Sequence, residues 1–221
     1  AWLAAVVAVP FLSLLGTAPP AGAQAEGEQV KEAGERVSEA VTQHVTRSVG
    51  LVRSAGVFGS GWVAGEDTVV TNLHVARAGT TDIYIDFPDG EQVECYTVLA
   101  DRDMDLAVLK CPSGDRPVVG VASAGTPVGA PVATVGYPGG KGPTVTRGEM
   151  LPDRDVVRGI TTIAYTAATQ PGSSGSPVVD ADGRAVGVVT FSGGRGVPIA
   201  ALIPLLEKAE GMPATKQGAE N

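Results

Sequence analysis

DIYIDFPDGEQVECYTVLA, residues 82–100, is the stretch on which the fold turns. Two runs rich in β-branched and aromatic residues, 82–87 and 91–100, flank Pro88-Asp89-Gly90. Proline presets φ, and Asp and Gly tolerate the conformations of a tight turn, so the segment predicts a β-hairpin. The same rhythm extends in both directions. Upstream, 56–64 and 68–72 flank Gly65-Glu66-Asp67. Downstream, strand-like runs occupy 106–111, 131–137, 144–149 and 160–166, and 178–180 and 185–191 flank Ala181-Asp182-Gly183-Arg184. Turns spaced about every 8–12 residues predict an all-β barrel or sandwich.

The 221 residues suit one domain or two packed halves of about 100 residues each, and 113–117 is the candidate joint. Hydrophobic residues reach 43% with only 5% aromatics, so the core must rest on Val, Ala, Leu and Ile. The 30 glycines follow no collagen-like period and read as turns. The net charge of −8 argues against a nucleic-acid partner, which needs a basic face, and against an anionic membrane surface.

Two helices frame the strands. Val30, Ala33, Val37, Ala40, Val41 and Val45 have helical spacing and predict an N-terminal amphipathic helix within 26–47, the alternative being an unstructured lead-in. His44 reads as one of its surface residues. Residues 204–210 predict a short C-terminal helix with Pro204 at its start. The predicted organisation is therefore a first segment 1–23, a helical lead-in 24–47, β halves 48–115 and 116–210, and a polar tail 211–221.

Residues 1–23 carry no charge, are apolar to Leu15 and end in Ala21-Gly22-Ala23. This resembles a secretory signal whose start is missing, the alternative being a retained membrane anchor. Export would place Cys95 and Cys111 where a disulfide persists. A hairpin centred on Asp103 sets the two cysteines opposite each other, eight residues to either side. Two buried free thiols are the alternative. With His44 and His74 as the only histidines, the residues are too few and wrongly spaced for structural zinc, and no metal or cofactor is expected.

Three local features carry chemistry together that none carries alone. His74 follows a strand end in Thr71-Asn72-Leu73-His74-Val75, Asp105 opens the run 106–111, and Ser174 lies within Pro171-Gly172-Ser173-Ser174-Gly175-Ser176-Pro177. A serine hydroxyl attacks only when a base takes its proton. An imidazole, with an ordinary pKa of about 6.5, suits that exchange near neutrality. A carboxylate fixes its tautomer, and glycines around the serine let main-chain N–H groups turn toward a developing oxyanion. The order His, Asp, Ser is that of the chymotrypsin barrels.

With Gly59-Ser60-Gly61-Trp62-Val63 and Gly136-Tyr137-Pro138-Gly139 added, five ordered motifs resemble the trypsin-like serine peptidases of the chymotrypsin fold, in particular the high-temperature-requirement (Deg-type) branch, over about 45–206. The resemblance implies two packed six-stranded antiparallel β-barrels with the site in their cleft. It implies His74 as general base, Asp105 as its orienter, and Ser174 as nucleophile. It also implies an oxyanion hole from the amides of Gly172 and Ser174, with Ser173 between them. Ser173 stands where trypsin has the aspartate that pairs with a new N-terminus, so that route of activation is not expected. With 47 residues after Ser174, no PDZ domain is expected either.

By the same match, Ala168, Thr169, Thr190, Phe191 and Ser192 line the specificity pocket, with Ala167 adjoining. Ala168 stands where trypsin requires an acid, so a small or medium apolar side chain, not Lys or Arg, is the expected preference. The expected function is an exported serine endopeptidase acting on polypeptide substrates, unfolded proteins among them, in the periplasm, cell envelope or medium. A catalytically silent binding protein of this fold and a membrane-anchored stress-sensing protease are the alternatives.

Overall fold

The computed structural model describes residues 36–77, 82–123, 125–152 and 155–213. The predicted signal or anchor 1–23, the lead-in up to residue 35 and the tail from 214 lie outside these residues. Six strands, β1 Val49–Ser54, β2 Val57–Gly65, β3 Thr68–Asn72, β4 Ile83–Asp86, β5 Gln92–Asp101 and β6 Leu106–Lys110, form a closed antiparallel barrel in the order β1-β2-β3-β6-β5-β4. The Pro88-Asp89-Gly90 turn closes as its residues require. Gly90 sits at φ 89°, its N–H donates to Phe87 O at 3.0 Å, and Asp89 Oδ1 accepts from Glu91 N at 2.9 Å.

The second unit holds β7 Pro131–Gly136, β8 Thr144–Glu149, β9 Val156–Val157, β10 Ile160–Thr161, β11 Ile163–Ala164, β12 Pro177–Val179, β13 Ala185–Phe191 and β14 Arg195–Pro198. Six of these form a sheet in the order β11-β14-β13-β12-β7-β8. Its two edges curl toward each other. Met150 bridges Tyr165, Leu151 N donates to Ala164 O at 2.9 Å, and Thr166 N donates to Glu149 O at 3.0 Å.

The run 160–166, expected as one strand, is split. Thr162 donates through both N (2.8 Å) and Oγ1 (3.0 Å) to Asp155 O. That anchor leaves β10 in a two-stranded ribbon with β9 and hands β11 to the main sheet.

Among the described residues, three α-helices flank the strands: α1 Glu39–Thr46, α2 Leu73–Ala76 and α3 Ile203–Ala209. Among the described residues α1 begins at Glu39, not earlier, because Ser38 is extended and its side chain caps Val41 N at 3.3 Å. The helix places buried Val45 in the core, and Arg147 ties it down through Val37 O, Glu39 and Thr42. The α3 helix crosses back onto β5 and β6 of the first barrel.

Among the described residues the apolar interior falls into three clusters. One fills the first barrel and includes Cys95 and Cys111, and another, around Tyr165 and Val178, fills the second. The largest lies between them, joining Trp62, Val70 and Leu106 of the first barrel to Val135, Tyr137 and Val188 of the second. Each aliphatic side chain so buried stabilises by about 1.5–3 kcal/mol, which fixes the two barrels against each other and sets the cleft. Cys95 and Cys111 are joined in a disulfide, with Cα atoms 4.5 Å apart. Their alignment follows from the register Tyr96↔Lys110, and the bulge between Thr97 and Leu99 lies beyond it, toward the turn.

Candidate active site

Strand β3 ends at Asn72, and the chain turns directly into the single turn of α2, which carries His74. Asp105 enters from the β5–β6 connection, at φ 53°, immediately before β6. The preceding turn is held by Asp101 Oδ1, which accepts from Asp103 N and Met104 N, both at 2.9 Å. Asp105 then grips His74 twice. Oδ1 accepts from the His74 main-chain N at 2.9 Å, and Oδ2 meets Nδ1 at 2.6 Å. An ionised carboxylate only accepts, so Nδ1 carries the proton and Nε2 is left as an acceptor. The Asp105 carbonyl accepts from Leu73 N at 3.1 Å and from Asn72 Nδ2 at 3.0 Å, which fixes the acid to the base of α2.

Ser174 comes from the second unit, in the loop before β12. Gln170-Pro171-Gly172-Ser173 forms a turn with Pro second and Gly third. Gly172 lies at φ 97°, and Ser173 N donates to Gln170 O at 2.9 Å. This is the type II pattern, in which the third position needs positive φ. A side chain at Gly172 would also strike Tyr137 O at 2.4 Å. Pro171 O accepts from Gly139 N at 2.8 Å, and the planar trans peptide sends the Gly172 N–H the opposite way.

Among the described residues, the N–H groups of Gly172 and Ser174 have no protein acceptor, whereas that of Ser173 is used within the turn. Ser173 Oγ also accepts from Gln170 N, at 3.2 Å. Of the three residues expected at the oxyanion position, Ser173 therefore shapes the loop and the other two keep open donors.

The serine and histidine segments meet at Gly59. A Cβ there would lie 2.6 Å from a Val75 methyl and 2.9 Å from Ser174 O, so only glycine lets α2 and the serine loop close on β2. Ser174 Oγ donates to Thr190 O across a long 3.5 Å. The serine hydroxyl is thus turned toward β13, and its hydrogen bond to His74 is not made in this conformation.

The expected pocket residues are partly brought together. Thr169 Oγ1 donates to Phe191 O at 3.3 Å and accepts from Gly194 N at 3.0 Å, joining the 168–169 wall to the 190–192 wall. Thr190 is buried, while Ala168 and Ser192 are exposed. Ala168 O accepts from Thr146 Oγ1 at 2.8 Å. The guanidinium of Arg158, on the β9–β10 turn, stands 6.0 Å from the Phe191 ring centre and was not foreseen. Two supporting residues were also missed. Ser60 and Asn72 are fully buried and polar, and each joins the first barrel to the second. A polar residue inside an apolar strand is the signal that marks them.

Among the described residues there is no group of three or more His, Cys, Asp or Glu side chains placed to hold a metal ion, and no helix long and apolar enough to cross a membrane.

A closed barrel beside a curled six-stranded sheet, with His and Asp on one and Ser on the other, defines a chymotrypsin-type protein. The chain belongs to the trypsin-like peptidase domain family, whose profile matches residues 59–188. A probable periplasmic serine endoprotease, DegP-like, of Hahella chejuensis is 32% identical over 177 residues, covering 72% of this chain and 37% of the relative. The serine protease Rv3671c of Mycobacterium tuberculosis is 32% identical over 144 residues, covering 59% of this chain and 35% of the relative. The chain thus spans little more than a third of either protein. Among solved structures, the inactive form of the Rv3671c protease superposes with a TM-score of 0.69 at 26% identity, over 79% of this chain and 94% of that one. The serine endoprotease from Yersinia pestis gives 0.66 at 27% identity, over 76% and 65%.

Proposed function

We propose that the chain is an exported serine endopeptidase that cleaves polypeptides by acyl transfer to Ser174. The observation that carries this reading is the double grip of Asp105 on His74, at 2.9 Å to the amide and 2.6 Å to Nδ1, which leaves Nε2 basic. In this proposal the Ser174 hydroxyl leaves Thr190 O by rotation about its Cα–Cβ bond and turns to donate to His74 Nε2. The oxygen attacks the scissile carbonyl carbon as its proton passes to Nε2. The negative charge on the carbonyl oxygen is met by the N–H groups of Gly172 and Ser174. The imidazolium then protonates the leaving amine, the C–N bond breaks, and water repeats the sequence on the acyl-enzyme.

Uncharged Ala168, Thr169, Thr190, Phe191 and Ser192 favour a small or medium apolar residue before the cleaved bond. The Cys95–Cys111 disulfide fits an oxidising compartment, and the DegP-like relatives are named periplasmic. Both support a periplasmic or envelope location.

Incubation with casein, followed by mass-spectrometric reading of new termini, tests the proposal. Cleavage by the wild type after apolar residues, absent with Ser174→Ala, is expected. Equal cleavage by both proteins refutes the nucleophile, and cleavage confined to Arg or Lys refutes the specificity.

A further inference from the structure

Every polar group of Ser60 is committed to the catalytic loop or its support. Its N–H donates to Ser174 O at 2.7 Å, and its carbonyl accepts from Thr71 Oγ1 at 2.7 Å. Its hydroxyl donates to Gly172 O at 2.8 Å and accepts from the Tyr137 N–H at 2.9 Å. Ser60 lies on β2 of the first barrel and is fully buried, while Gly172, Ser174 and Tyr137 all belong to the second unit.

The two hydroxyl contacts act on one loop. Tyr137 leads into the turn Pro138–Gly140, whose Gly139 N–H holds Pro171 O at 2.8 Å. The carbonyl on the other side of Gly172 is held by Ser60 itself. Both peptide planes flanking Gly172 are therefore fixed, one directly by the Ser60 hydroxyl and one through Tyr137 and Gly139. A peptide plane held at its carbonyl cannot turn its N–H away.

We infer that Ser60 is a positioning residue for the oxyanion hole: its hydroxyl, supplied by the first barrel, fixes the two peptides flanking Gly172 and with them the direction of the open Gly172 N–H, while its own N–H holds the Ser174 carbonyl. The inference rests on the reading of Ser174 as nucleophile. No hydrogen bond of Ser60 goes to His74 or to the Ser174 hydroxyl, so its loss should weaken stabilisation of the transition state without altering the base or the binding of substrate. Loss of a direct oxyanion donor lowers kcat by about 10²–10³. Loss of a group that positions the donor should lower it by about 10–100-fold.

The test compares wild type, Ser60→Ala, Ser60→Cys and Ser174→Ala on fluorescently labelled casein, with kcat, KM and the pH profile of kcat/KM measured for each and folding followed by thermal melting. Ser60→Cys keeps the size of the side chain but is a weak donor, so it serves if the alanine variant fails to fold. Expected are a kcat lowered about 10–100-fold in the folded variants, KM within about threefold of wild type, and an unmoved acid limb. A folded Ser60 variant with wild-type kcat, or with a raised KM alone, overturns the inference while Ser174→Ala stays inactive. A shifted acid limb also overturns it, since Ser60 would then act through His74. Full activity in Ser174→Ala overturns the nucleophile reading and this inference with it.

Discussion

Asn72 Nδ2, at the end of a first-barrel strand, donates at 3.0 Å to Thr190 Oγ1 of the second barrel and at 3.0 Å to the carbonyl of Asp105. Thr190 O in turn is the acceptor for the Ser174 hydroxyl. The acid and the serine thus share one buried amide as their common reference. Asn72→Ala should cost about 1–3 kcal/mol of stability, because it strands buried partners. In a double-mutant cycle with Thr190→Val, the two changes should couple by at least about 0.5 kcal/mol. Additive effects would show that the bridge does not join the barrels.

Asp105→Asn should lower kcat by about 10⁴ with little change in KM, because an amide nitrogen facing Nδ1 favours the tautomer in which Nε2 carries the proton. Single-substrate kinetics at neutral pH check this. A loss below tenfold would mean that the 2.6 Å contact does not set the tautomer.

The Cys95–Cys111 bridge closes a loop with a sequence separation of 16, and both residues are buried in the first barrel. Replacing both by Ala should lower stability by about 3 kcal/mol, by the loop-entropy argument, and leave kcat near wild type, since neither residue touches the cleft. Urea denaturation with parallel kinetics decides. A collapse of kcat in a folded variant would make the disulfide part of the catalytic machinery.

Arg116 clasps the inter-barrel linker to the first hairpin. It pairs with Asp89 and Glu91, each at 2.7 Å, stands 3.9 Å from the centre of the Phe87 ring, and donates to Ser113 O at 3.0 Å. Burial pushes the Asp89 carboxyl up, but the Glu91 amide and the Arg116 guanidinium outweigh it and hold Asp89 below the ordinary range. A lowered carboxyl stabilises the fold above its unfolded value, and that contribution is lost as pH falls through the folded one. Arg116→Met should therefore cost no more than about 1 kcal/mol at neutral pH, because both carboxylates are more than half exposed and screened by solvent, and flatten the acid side of the stability curve. An acid limb identical to wild type would remove the clasp from the account.

At the alkaline end, burial, with the Asp86 and Asp89 charges behind it, raises the Tyr137 phenol from 10.0 to about 12, and Tyr165 is raised as well. A raised acid keeps its proton in the folded state, so stability is full below about pH 10 and falls as pH climbs toward 12. Tyr137→Phe should lessen that fall, as read by denaturant titrations across the range. A slope equal to wild type would contradict it.

The groups proposed to react stand out in the sequence because the chemistry tolerates few residue types. His74, Asp105 and Ser174 are embedded in motifs whose glycines and strand edges are local. The hairpin at Pro88-Asp89-Gly90 and the alignment of Cys95 with Cys111 were legible for the same reason, since turn chemistry and strand pairing act over short separations. Strand β14 was not, because Arg195-Gly196-Val197-Pro198 is short and contains both a glycine and a proline. The partners of Ser60 and Asn72 were not legible either. They lie 112 and 118 residues away, and only the folded register of two barrels brings them within hydrogen-bond reach. The break in 160–166 likewise depends on Asp155, seven residues upstream of Thr162, which periodicity does not register.

The central claim is that Ser174 is a nucleophile activated across the cleft. Its most direct measurement is covalent labelling by a fluorophosphonate probe, with the modified residue located by mass spectrometry. The account predicts one adduct, on Ser174 in the wild type, that is lost in Ser174→Ala and strongly slowed in Asp105→Asn. An unlabelled wild type, or an adduct that persists in Ser174→Ala, would contradict it.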